Sequence, residues 1–168
     1  ANAGKLQELG KRTENKKTVK GKILARVKFL REEIESPTPT YQGFGGKITH
    51  DYIIAQIPKG LCNVYRESPK ALSYMRKIYL DTDNRKIKKV LACAIAQCDD
   101  KGRMKKELEK QLMQILSSKD EFGLNVKAEA IHGLRELGSY QCIPELISLM
   151  EQVPKDDASS SYVISAAN

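Results

Sequence analysis

From Val19 onward, apolar side chains return every three or four positions, the period of one face of an α-helix. Val19, Ile23, Val27, Leu30 and Ile34 follow this spacing, and Thr18 stands where a capping hydroxyl belongs, so a helix is predicted from Thr18 to about Ser36. Upstream, Leu6 and Leu9 begin a short helix that the polar run KRTENKK interrupts. Downstream, ESPTPTYQGFGGK carries prolines and glycines that read as a loop. Thr49 then caps a helix through Tyr52, Ile53 and Ile57, with a break or kink expected at Pro58 and Gly60 before Leu61 to Tyr65. Ser68-Pro69 is a start signal, a cap followed by proline at the first helical position, and it opens a stripe of Ala71, Leu72, Met75, Ile78 and Tyr79. Asp81, Thr82 and Asp83 stop that helix and offer caps for the next, which carries Ile87, Val90, Leu91, Ala94 and Cys98. After a turn at Asp99 to Gly102, Met104, Leu108, Leu112, Ile115 and Leu116 mark another. Asn125 caps a helix bearing Val126, Ala130, Leu134 and Leu137, and Gly138 ends it as a left-handed C-cap. The last stripe is Ile143, Leu146, Ile147, Met150 and Val153, and no strand is predicted before Pro154.

Three successive helix pairs therefore begin near Thr49, Asp83 and Asn125, with offsets of about 34 and 42 residues, near the range of two-helix repeats. Each helix has a single apolar stripe, so a pair cannot cover itself and must stack on its neighbour. The segment NVKAEAIHGLRELGSYQCIPELISLM resembles a HEAT repeat: Val, Ala, Leu and Leu-Gly in the first helix, a tight turn, then Ile-Pro-x-Leu-Ile-x-x-Met in the second. Asn84 to Leu116 is similar more loosely, with Asp99-Asp100 in place of Leu-Gly, and Thr49 to Leu80 only in outline. The resemblance implies an all-α fold: a short right-handed α-solenoid of about three antiparallel helix pairs with an N-terminal capping helix. On this reading residues 1–17 are a basic N-terminal arm, 18–153 the helical-repeat domain and 154–168 a flexible C-terminal tail.

Charge sharpens the picture. The formal net charge is +8, and all of the excess lies between Ala1 and Arg31, where only Glu8 and Glu14 oppose the Lys and Arg residues. A concentrated basic segment points to an anionic partner, while the plainer alternative is a solvated face over a capping helix. Farther on, Arg85, Lys86, Lys88 and Lys89 occupy the first turns of one helix, and Lys101, Arg103, Lys105 and Lys106 those of the next. Cations there oppose the helix dipole. Antiparallel helices put these two clusters at opposite ends, so one shared surface is not required. Lys17, Lys20, Arg26, Arg85, Lys86, Lys89, Lys101, Arg103 and Lys105 are the candidate contacts to an anionic partner.

Candidate chemistry is sparse. The four cysteines lack zinc-ligand spacing and read as buried, reduced thiols, which favours the cytoplasm; export after leader cleavage stays open, since the chain begins at Ala1. No apolar run approaches the roughly 20 residues of a membrane span. GGKIT is no P-loop, because Tyr41 and Ile48 stand where the motif needs glycine and a hydroxyl. His50 reads as a surface residue, His132 as a packing or surface one, and Asp99-Asp100 as solvated carboxylates in a turn. No catalytic residue, metal site or cofactor is assigned. The HEAT resemblance implies a non-enzymatic module that binds a protein partner. The alternative is nucleic-acid binding through phosphates; the resemblance extends to alkylpurine DNA glycosylases of DNA repair, but their aromatic cradle is unmet in a chain without Trp.

Overall fold

The computed structural model describes residues 4, 6–8, 11, 18–43, 46–99 and 102–152. They are mostly helical. Helix α1 spans Val19–Glu35, α2 His50–Glu67, α3 Ala71–Asp81, α4 Arg85–Cys98, α5 Lys105–Ser117, α6 Leu124–Glu136 and α7 Ile143–Gln152. The proposed arm falls largely outside these residues, although Leu6 to Glu8 are helical and Leu6 packs against the core. The proposed tail lies outside them entirely.

Helix α1 forms as its pattern predicts. Thr18 Oγ1 accepts from the Gly21 N–H at 3.0 Å, Ser36 closes the far end, and Ile23, Val27 and Leu30 are buried. The Ser36 to Lys47 loop, however, contains strands. Tyr41–Gly43 (β1) pairs antiparallel with Gly46–Ile48 (β2), Gln42 opposite Lys47, and Gly46 has a φ of 124° that suits glycine alone. Strands this short leave no readable alternation. Their base is anchored by buried Glu33, whose carboxylate accepts from the Thr38 N–H and hydroxyl, both at 2.8 Å.

Helix α2 does not break at Pro58. It runs unbroken from His50 to Glu67 with Ile54 and Pro58 both buried. An interior proline costs about 3 kcal/mol in lost hydrogen bonding and ring clash, but α1, α4 and α6 pack along this helix and offset that cost. Ser68 likewise ends α2 rather than capping α3: its N–H donates to the Val64 carbonyl at 2.9 Å, and a tight Ser68-Pro69-Lys70 turn leads into α3. Asn84, rather than Asp81 to Asp83, caps α4 by accepting from the Ile87 N–H at 3.1 Å.

The core centres on α4. Every residue from Val90 to Ala96 is buried, as expected of a stretch that is apolar all round, while the cationic first turns of the helix reach the surface. It packs against α1, α2, α3, α5 and α6. Truncating Leu91 or Ile95, each 0% exposed, to alanine removes about 2–5 kcal/mol. Helices α2, α4 and α6 lie together, and α2 also touches α6 directly, a contact that stacking of immediate neighbours alone does not require. Gly138 ends α6 with a φ of 62°, and the Ser139 N–H returns to the Leu134 carbonyl at 3.0 Å, the expected left-handed cap.

The stripe expected on α7 is only partly inward. Leu149 is the buried residue of that helix, with Cys142 just before it, whereas Ile143, Ile147 and Met150 are 47%, 53% and 43% exposed. Among the described residues α7 packs mainly on α5, so only the arc facing α5 is covered.

Candidate interaction surfaces

The first turns of α4 and the middle of α5 border a cleft of about 390 Å³ lined by Arg85, Lys88, Lys89 and Lys110, with Thr82, Asp83, Gln111 and Gln114. Antiparallel packing produces it, because the start of α4 meets the later turns of α5. Two of the cations have local partners that offset their unfavourable place at the helix start. Lys89 Nζ lies 2.7 Å from Glu121 Oε2 and 5.9 Å from the Phe122 ring centroid. Lys88 Nζ sits 5.2 Å over the Tyr79 ring, and the Tyr79 hydroxyl donates to Glu107 Oε1 at 2.8 Å. Arg85 and Lys110 are exposed at the rim. Four cations and Asp83 line the cleft, with Glu121 paired to Lys89 and Glu107 beside Lys88 and Lys110, so Arg85 and Lys110 at the rim are the charges left to meet an anion.

The other expected contacts are dispersed. Arg103 and Lys105 are exposed at the start of α5, beside the end of α4, where the Met104 N–H meets Asp99 Oδ2 at 3.4 Å. They are thus at the opposite end of α4 from Arg85, as antiparallel packing requires. Lys86 is exposed on α4 and Lys20 on α1. Arg26 turns inward: its Nη1 donates to the Lys22 carbonyl at 3.0 Å, and burial lowers its pKa against the pull of Glu67. Lys17 and Lys101 lie outside the described residues.

A second concavity, of about 400 Å³, runs across the later turns of α2, α4 and α6. At its base Glu129, 1% exposed, accepts from Gln97 Nε2 at 3.0 Å and has Lys59 Nζ at 3.7 Å. His132 follows on α6, and burial lowers its pKa, helped by Arg135 and Lys59 and opposed by Glu129 and Glu136. It is therefore an uncharged imidazole at neutral pH. Cys62 and Cys98 also line this groove. None of these polar groups formed a sequence motif; Lys127 and Glu129 sit inside the run Val126 to Ile131, where every residue is buried.

Two readings of single residues change. His50 is not a plain surface histidine: its Nδ1 lies 2.9 Å from Glu33 Oε1, joining the cluster beneath the hairpin. Asp99 is not solvated, because its side chain is 0% exposed and ion-paired with Arg76. A buried pair of this kind holds the end of α4 to α3. The four cysteines are free and buried, as expected. Among the described residues no group of three or more His, Cys, Asp or Glu is placed to hold a metal ion, and no helix is long and apolar enough to cross a membrane.

Comparison with known proteins finds no match among protein-family models, curated proteins or solved structures.

Proposed function

We propose that the chain is a non-enzymatic interaction module of the HEAT-like type, a short right-handed stack of helix pairs capped by α1, that docks an acidic segment of a protein partner between α4 and α5. The cleft lined by Arg85, Lys88, Lys89 and Lys110 carries this reading. Its cations are gathered at one place, whereas a nucleic-acid surface gains from phosphate contacts spread along a face. Tyr79 and Phe122, the rings beside the cleft, are buried beneath Lys88 and Lys89, so they offer no stacking platform for bases.

Titration of the chain with a poly-glutamate peptide, and separately with mixed duplex DNA at two salt concentrations, tests the proposal. Reversing both rim charges in Arg85→Glu/Lys110→Glu is expected to weaken peptide binding about tenfold or more, the loss of roughly 1.4 kcal/mol. Reversing Arg103 and Lys105 is expected to leave it nearly unchanged. Tight duplex binding with a steep salt slope, together with weak peptide binding, would replace the acidic-protein reading with phosphate recognition. Failure of both probes would overturn the cleft as a docking point.

A further inference from the structure

Cys62, from α2, and Cys98, the last residue of α4, meet in the groove bounded by α2, α4 and α6. The Cys98 thiol donates to Cys62 Sγ at 3.5 Å, while the Cys62 thiol in turn donates to the Ala94 carbonyl and to Gln97 Oε1, both at 3.8 Å. Each residue is almost covered, 6% and 4% exposed, yet both border the open concavity rather than the sealed core. The remaining thiols are placed differently. Cys93 is 0% exposed within α4, and Cys142 donates to the Ser139 carbonyl at 3.2 Å before α7. Neither lines the groove.

We propose that Cys62 and Cys98 form a redox-active dithiol, in which a peroxide oxidises Cys62 and Cys98 resolves the product into a disulfide joining α2 to α4. In the first step the Cys62 thiolate attacks a peroxide oxygen. The O–O bond breaks, a sulfenic acid forms and hydroxide leaves. In the second step the Cys98 sulfur attacks Cys62 Sγ. The S–O bond breaks as the S–S bond forms, and the hydroxyl departs as water with the Cys98 proton. The two thiols lose two electrons and the peroxide gains them.

Local chemistry divides the roles in this order. The hydrogen bond from Cys98, helped by Arg66, pulls the Cys62 thiol below its ordinary pKa against burial and Glu129. The same hydrogen bond keeps Cys98 protonated, with burial acting in the same direction. Burial raises the Cys93 and Cys142 thiols. A lowered thiol beside a resolving partner is the arrangement that reacts selectively. Bonding requires the sulfurs to close by roughly 1.5 Å, to about 2.05 Å.

The test treats the full chain with hydrogen peroxide, stops the reaction with catalase, alkylates remaining thiols in denaturant and maps the peptides by mass spectrometry. The expected product is a linked Cys62–Cys98 peptide short of two hydrogens, with Cys93 and Cys142 alkylated. It should form about tenfold faster in the native chain than in the urea-unfolded one, where no thiol is activated by its neighbour. In Cys98→Ser, dimedone should trap a sulfenic acid at Cys62; in Cys62→Ser, neither trapping at Cys98 nor the disulfide should appear. Equal rates in native and unfolded chains, mixed pairing with Cys93 or Cys142, or a native chain that leaves both Cys62 and Cys98 open to alkylation would overturn the proposal. Circular dichroism of both serine variants separates a lost reaction from a lost fold.

Discussion

The carboxylate of Asp51 caps a helix whose N-cap residue lies 72 positions later: its Oδ1 accepts from the Gly123 N–H at 2.8 Å, and its Oδ2 from the Asn125 N–H at 2.9 Å. Gly123 holds the N-cap position of α6, which has no side-chain cap hydrogen bond of its own. Asp51 also lies in the first turn of α2, so one negative charge serves the positive ends of two helices. This bridge joins α2 directly to α6.

Asp51→Ala should therefore cost about 2–3 kcal/mol, since it removes two charge-assisted hydrogen bonds together with the dipole contribution. Asp51→Asn retains an acceptor and should lose roughly half as much. Gly123→Ala should act through the same contact, because a Cβ there would stand 2.6 Å from Asp51 Cγ and displace the carboxylate. Urea denaturation of the two alanine variants and their double mutant gives the check. The double variant should fall short of the sum by about 0.5 kcal/mol or more. Full additivity, or an Asp51→Ala loss below about 0.5 kcal/mol, would remove the bridge from the account.

Gly133, inside α6, sets how closely that helix approaches α4 and α5. A Cβ at this position would lie 2.5 Å from Leu112 Cδ2 and 3.0 Å from Ala96 Cβ. Alanine improves helix propensity by about 1 kcal/mol, but Leu112 is 0% exposed and Ala96 has no rotamer to adjust. Overpacking of about 1–3 kcal/mol should exceed the gain. Gly133→Ala is thus expected to lower the midpoint of thermal unfolding, and Leu112→Ala to cost less in the Gly133→Ala chain than in the parent, because part of the overpacking is relieved. A Gly133→Ala variant more stable than the parent would contradict this close packing.

The Tyr79–Glu107 hydrogen bond predicts a pH signature on both sides of neutrality. Donation from Tyr79, reinforced by Gln111, holds the Glu107 carboxyl below its ordinary value. Its contribution to stability is therefore present above a glutamate pKa of about 4.3 and is lost as pH falls through the lower folded value. Burial, with Glu107 as acceptor, pushes the Tyr79 phenol up. That contribution is present below about pH 10 and is lost as pH rises through the raised value, because the unfolded chain ionises first. Tyr79→Phe should flatten both limbs in denaturation curves run from pH 3 to 11, with the largest deficit between them. A deficit independent of pH would show that only packing was lost.

Most helices were legible in the sequence because their apolar periods are long and their caps local. Thr18, Thr49 and Gly138 act within one turn of their own position, so a reader of the chain finds them. What escaped depended on partners distant in sequence. The cap of α6 comes from Asp51, and the continuity of α2 through Pro58 comes from packing by three other helices. The basic cleft was half visible: Arg85 and Lys89 stood out as cations against the dipole, but Lys110 joins them only when α5 folds back along α4. The groove was invisible, since Gln97 and Glu129 carry no motif and meet through helix packing.

The phase of α7 is likewise set by a partner distant in sequence. Ile143, Leu146, Ile147, Leu149 and Met150 are apolar over more of the helix circumference than one neighbour can cover, so sequence periodicity does not choose the buried arc. Packing on α5 chooses Leu149, 7% exposed, and leaves Ile147 at 53%. Leu149→Ala should consequently cost about 2 kcal/mol or more, whereas Ile147→Ser should remain within about 0.5 kcal/mol of the parent. Urea denaturation of both variants at protein concentrations a hundredfold apart tests this, because covering of Ile147 by a second copy would make its substitution costly only at the higher concentration. Equal losses at both positions and both concentrations would mean that the helix is rotated from the phase described.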